Sequence, residues 1–123
     1  MAALARADVA LAARTGHSAQ PWYRPPTGTA SAALLDAVGR DGWTWAVAWD
    51  VDPGDDVAPA DGGPTAEDIA TLVRVAARGG SIVRLRLGGP RTLEALPLVD
   101  EGLRDDGWRL VGLPELLGLE AGA

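Results

Sequence analysis

The sequence predicts an α/β fold in which parallel strands alternate with helices. Two observations predict it. Residues 43–52 alternate Trp43, Trp45, Val47, Trp49 and Val51 with Thr44, Ala46, Ala48, Asp50 and Asp52, the period of two that puts bulky apolar groups on one strand face. On either side of that strand, Ala- and Leu-rich stretches with helical spacing are each closed by glycine, so helices and strands follow in turn.

Residues 4–15 read as the first helix, with Leu4, Val9, Leu11 and Ala12 spaced for one face and Gly16 as the stop. Residues 21–28 carry three prolines and a glycine, which demands an extended or turning backbone. Residues 30–38 form a second helix with Leu34, Leu35 and Val38 on one side, ended by Gly39. After the 43–52 strand, residues 53–64 are a Gly/Pro/Asp loop. Thr65 then caps a helix to about residue 78, with Asp68 at capping-box spacing.

Residues 81–87 make the next strand, with Val83, Leu85 and Leu87 on one face and Ile82, Arg84 and Arg86 on the other. Gly88-Gly89-Pro90 turns the chain, and Thr92 caps a helix over residues 93–105. Residues 109–113 are a short third strand, and residues 114–117 open a last helical turn. No internal repeat interrupts this order. At 123 residues the chain is expected to be a single domain, residues 1–123.

Composition narrows the function. The chain is 47% hydrophobic and 23% charged, ordinary globular values, but it has no Phe, so five Trp and many Leu, Val and Ala must supply core bulk. The absence of Cys removes disulfides, thiolate nucleophiles and thiolate metal sites. Eleven basic against 17 acidic residues give a net charge of −6, and no basic run interleaved with aromatics offsets it, which argues against nucleic acid as a partner. No apolar run reaches the roughly 20 residues of a bilayer span, so no membrane partner is expected. Residues 1–14 contain Arg6, Asp8 and Arg14 and lack an apolar core of signal-peptide length, so no export signal is expected in the chain as given. Localisation stays open.

Several separated motifs agree in order. Ala13-Arg14-Thr15-Gly16 is followed by Tyr23-Arg24-Pro25-Pro26-Thr27-Gly28, then by Trp49-Asp50-Val51-Asp52-Pro53-Gly54-Asp55. Gly80-Ser81-Ile82-Val83, Thr92-Leu93-Glu94-Ala95-Leu96-Pro97 and Gly107-Trp108-Arg109-Leu110-Val111 complete the set. Together they resemble the later part of the NodB-homology polysaccharide deacetylases, carbohydrate esterase family 4-like proteins. The resemblance runs over about residues 4–117 and implies part of a (β/α) barrel, since a closed eight-stranded barrel takes about 200 residues or more.

The same resemblance implies an activity: hydrolysis of N-acetyl groups on chitin-like or peptidoglycan sugars, with a divalent metal such as zinc. Relatives often act outside the cytoplasm. The family's Asp-Asp pair and its two His four residues apart have no match here, so the metal ligands expected on this chain are none, and no cofactor is expected on it. Asp55-Asp56 and Asp105-Asp106 lie outside that context, and His17, the sole histidine, falls in a connector.

The remaining roles carry over by position. Arg24 matches the arginine that orients the missing base. Thr27 sits where a backbone N–H stabilises the tetrahedral oxyanion. Asp55 matches the aspartate that tunes a catalytic histidine, but Asp56 replaces the tryptophan after it, and Arg86 stands in place of the histidine itself. An arginine keeps its proton above pH 12 or so and cannot serve as the general acid, though it can pair with Asp55. Trp22, Tyr23 and Leu85 are the implied substrate contacts.

Three readings follow. The chain is a non-catalytic relative, or half of a deacetylase completed in trans, or a module that binds a glycan or protein through Trp22, Tyr23, Arg24, Arg84 and Arg86. Arg84 and Arg86 are either solvated on an open sheet face or grip an anion. The tryptophans at 43, 45 and 49 are read as core in preference to a sugar platform. Open strand edges predict self-association or a partner chain.

Overall fold

A computed structural model describes residues 2–25 and 28–119. The chain divides into two compact units, one ending at Ala48 and the other beginning at Trp49.

The first unit opens with helix α1 (Ala2–Thr15). Gly16 ends it, donating its N–H to the Ala12 carbonyl at 2.8 Å from a backbone with φ of 79°, a conformation that glycine adopts without steric cost. The half-buried stripe of α1 is Leu4, Asp8 and Ala12, while Val9 and Leu11 are exposed. That differs from the apolar face the spacing predicts. Asp8 sets the orientation, because its carboxylate accepts from the Ser18 hydroxyl at 2.7 Å and from the Ala19 N–H in the turn that follows.

Strand β1 (Trp22–Tyr23) pairs in parallel with β2 (Trp45–Ala46), with Trp22 opposite Trp45 and Tyr23 opposite Ala46. Between them lies α2 (Ala32–Arg40), capped by the Ser31 hydroxyl, which accepts from Leu34 N–H at 3.1 Å. Val38 of α2 is buried with Trp43 and Val47, whereas Leu34 and Leu35 stay exposed.

In the second unit, Val51 and Val83 form an isolated parallel bridge, with Arg84 N–H donating to the Val51 carbonyl at 2.9 Å. A 3-10 turn, Pro59–Asp61, lies within the 53–64 loop. Helix α3 (Ala66–Ala76) begins with the expected capping box: Thr65 Oγ1 accepts from Asp68 N–H, and Asp68 Oδ2 accepts from Thr65 N–H, both at 3.1 Å. It ends two residues earlier than the spacing predicts. Ala77 turns extended, and the Ser81 hydroxyl accepts from Arg78 N–H at 2.9 Å.

Helix α4 (Thr92–Asp105) packs against α3. Val51, Ala66, Ile69, Ala70, Val73, Ala95, Val99 and Leu103 form the core, flanked by the half-buried Ala77, Val83 and Leu85. Short helix α5 (Leu113–Leu116) follows, one residue ahead of the expected start.

The fold is therefore α/β with parallel strand pairing, as the alternation predicts. The strands are shorter than predicted. Within residues 43–52 only Trp45 and Ala46 lie in a ladder and Val51 in a bridge. Within residues 81–87 only Val83 takes part in a bridge, and residues 109–113 form no strand among the described residues. Alternation reports which face a side chain takes, whereas a ladder also needs a neighbouring backbone. Even-numbered residues 44–52 are exposed, and odd ones are more covered: Trp43, Val47 and Val51 are buried and Trp49 half-buried. Trp45 departs from the core reading at 39% exposed.

Candidate functional site

The Asp55 side chain is placed by the Pro53-Gly54 turn after the Val51 bridge, and it is only 3% exposed. Its Oδ2 accepts the Arg86 N–H at 2.8 Å and a short hydrogen bond from the Thr92 hydroxyl. Gly89 lies so close that a Cβ there would strike Thr92 Oγ1 and sit 2.9 Å from the Asp55 carbonyl oxygen. Arg86 thus meets Asp55 through its backbone. Its guanidinium is exposed and makes no ion pair among the described residues, so the side-chain pair that Arg86 could make with Asp55 is not formed. The next residue, Asp56, is exposed.

Thr92 was expected to cap its helix. It is instead the first helical residue, Arg91 is the N-cap, and Arg91 makes no side-chain capping bond. The sequence signal for a capping threonine and for a buried threonine that reaches across the chain is the same, so spacing alone misses the Asp55–Thr92 pair. Gly89 reads in sequence as a turn residue, and its steric role depends on a contact 34 residues away.

Arg84 is held on two sides. Its guanidinium lies 4.5 Å from the Trp49 ring centroid and 3.2 Å from Asp52 Oδ2. Asp50 accepts from Ile82 N–H at 2.6 Å and the Ser81 hydroxyl at 2.9 Å, and these donors hold its carboxyl below the ordinary aspartate value. Leu85 is half-buried against the α3–α4 core.

In the first unit, Arg24 Nε donates to the Val47 carbonyl at 3.0 Å. Trp22 stacks on Trp45, with ring centroids 5.8 Å apart and planes at 23°. The Tyr23 hydroxyl is buried and has no hydrogen-bond partner among the described residues. Thr27 lies outside the described residues. Within each unit, then, the structure brings Asp55 together with the Arg86 backbone, and Arg24 with the strand that follows α2.

No family model and no curated protein matches the chain. Among solved structures it is similar to a family 4 carbohydrate esterase from Streptomyces lividans in complex with acetate. The TM-score is 0.61 and the identity 25%, over 84% of this chain and 50% of that one.

The chain is a partial carbohydrate esterase family 4-like domain.

It spans half the length of the esterase it matches, and its α/β architecture corresponds to half of that barrel-like fold. A divalent metal, as implied by the family resemblance, can be tested against the donors of this family 4-like domain. Among the described residues no group of three or more His, Cys, Asp or Glu side chains converges. His17 is exposed in the turn after α1, where its N–H donates to Thr15 Oγ1 at 3.2 Å. Asp55 spends its inward oxygen on the Arg86 amide and the Thr92 hydroxyl. This donor set does not fit a site built on imidazole and carboxylate.

Proposed function

We propose that this family 4-like chain keeps the deacetylase scaffold and, by itself, does not hydrolyse N-acetyl groups or bind the family's metal. The observation that carries the reading is the environment of Asp55. The position where the family would place a proton-donating imidazole holds Arg86, and the aspartate meant to tune that imidazole takes two scaffold donors instead. Arginine holds its proton to above about pH 12, so no general acid is left to protonate a leaving amine near neutrality. Arg24 would have no base to orient, and the backbone donor carried over at Thr27 would be left without an oxyanion to stabilise.

The test is direct. The purified chain is incubated with N-acetylated chito-oligosaccharide and peptidoglycan fragments, with zinc or cobalt added, and acetate is measured. No release above the protein-free blank is expected. Release that scales with chain concentration and is lost in Asp55→Asn overturns the reading.

A second reading is favoured by Trp45, whose exposed indole is stacked on Trp22. Such a pair offers a flat aromatic surface with low conformational-entropy cost, suited to a sugar ring. Under this reading the chain binds a glycan without cleaving it, through Trp22, Tyr23 and Trp45. Quenching or enhancement of tryptophan fluorescence by chito-oligosaccharide that disappears in Trp45→Ala supports it, and no spectral change at millimolar sugar removes it. Self-association or a partner chain at the short, sparsely paired strands belongs to the same proposal. Sedimentation that shows a monomer at high concentration counts against that part.

A further inference from the structure

Asp55 and Thr92 are the buried polar side chains among the described residues, and they are bonded to each other. They come from positions 37 residues apart, Asp55 from the 53–64 loop and Thr92 from the first residue of α4. The same carboxylate oxygen also takes the Arg86 amide. Gly89, whose N–H donates to the Arg86 carbonyl at 3.1 Å, admits this approach only because it lacks a Cβ. Three segments therefore meet at one oxygen atom: the loop, the 86–89 corner and the start of α4.

The start of α4 lacks a side-chain cap of its own, Arg91 supplying none, and the Asp55 carboxylate reaches it through the Thr92 hydroxyl. A carboxylate beside the first turn is favoured by the partial positive charge of the unbonded amides there. Burial of that carboxylate is tolerable because two donors satisfy it, one of them the short Thr92 bond.

We infer that Asp55 is a conformational latch, a positioning residue whose carboxylate closes the 86–89 corner onto the first turn of α4. It acts through Arg86 and Thr92 and touches no reactant. The role is independent of hydrolysis, so acetate release by the chain would defeat the proposed function and leave the latch standing.

Amide hydrogen exchange of the full chain, read residue by residue by NMR, tests it alongside thermal unfolding. Wild-type protein is expected to protect the Arg86 and Gly89 amides. Asp55→Asn weakens the acceptor and is expected to speed exchange at both about tenfold or more relative to the α3 core amides of Ile69 and Val73. Thr92→Val removes one donor and is expected to loosen the same corner, while Thr92→Ser keeps the hydroxyl and the wild-type pattern. Asp56→Asn, at an exposed neighbour, is expected to change nothing.

Unchanged Arg86 and Gly89 exchange in Asp55→Asn overturns the latch. So does faster exchange spread evenly over the whole chain, which would mark Asp55 as general stability and not a local closure. Should Asp55→Asn fail to fold, Thr92→Val decides: loosening confined to residues 86–92 supports the latch, and wild-type exchange there sinks it.

Discussion

Arg74 of α3 grips Asp106, the C-cap of α4, through two parallel bonds: Nε to Oδ2 at 2.9 Å and Nη2 to Oδ1 at 2.7 Å. The stem of Arg74 crosses α4 over Gly102, where a Cβ would approach its Cδ to 2.5 Å. This forked geometry is the arginine–carboxylate pairing that a lysine cannot reproduce. It ties the far ends of the two helices whose apolar faces make the core.

The pair should leave a pH signature. The Arg74 hydrogen bond holds the Asp106 carboxyl below its ordinary value. The folded state therefore keeps this carboxylate ionised at pH values where the unfolded chain takes up a proton. The contribution to stability is present above the unfolded value, roughly 4, and is lost as pH falls through the lower folded value. Asp106→Asn should melt below wild type at pH 7, and the gap should close as pH falls below about 4. A gap of constant size across that range would show that the ion pair contributes nothing.

Ile69 and Val73 are fully buried in the face of α3 that meets α4. Ile69→Ala deletes buried methyl and methylene groups and leaves a cavity, a loss of about 2–5 kcal/mol in urea unfolding. Ile69→Val should cost only about 0.5–1.5 kcal/mol. The exposed Val75 on the same helix gives the contrast: Val75→Ala should fall within about 0.5 kcal/mol of wild type.

Thr65→Ala removes half of the capping box and should lower stability by about 1 kcal/mol, with Thr65→Ser close to wild type. Helical circular dichroism near the transition midpoint checks both. An effect of Thr65→Ser as large as that of Thr65→Ala would assign the loss to the methyl group instead.

Gly63 is constrained by contact. A Cβ there would collide with the Val57 carbonyl and come within 2.8 Å of the Ala58 carbonyl oxygen, and neither backbone atom can move aside as a side chain can. Gly63→Ala should cost about 1–3 kcal/mol. A neutral result would mean that the 53–64 loop is free to reshape.

Arg86→His separates side chain from backbone. The bond to Asp55 comes from the Arg86 N–H, so the variant should keep wild-type stability within about 0.5 kcal/mol. It should also release no acetate, because an imidazole at that position still lacks neighbouring metal donors among the described residues. Acetate release by this variant would show that one proton donor was all the scaffold needed.

Much of this was legible in the amino-acid order because the signals are local. The Thr65–Asp68 box and the stop at Gly16 act within one helical turn and depend on nothing that lies across the chain, whereas the Ser31 cap of α2 was missed. The parallel α/β class and its likeness to half of a family 4 esterase also followed from the order of motifs. Asp55 was singled out by its match to a family position and is buried in the structure, but its Thr92 partner was not foreseen.

What residue order alone determined is the location of the helices and the alternating cover of residues 43–52, Trp45 excepted, since backbone dihedrals and side-chain period are set by near neighbours; the same reading failed at Leu87, which is exposed. Tertiary structure alone decided how far the strands pair, why Trp45 stays partly uncovered, and why Asp55 meets an amide and a hydroxyl instead of a guanidinium. Those outcomes depend on which distant groups arrive within about 3 Å of one another, and hydrogen-bond geometry at that range is invisible to spacing along the chain.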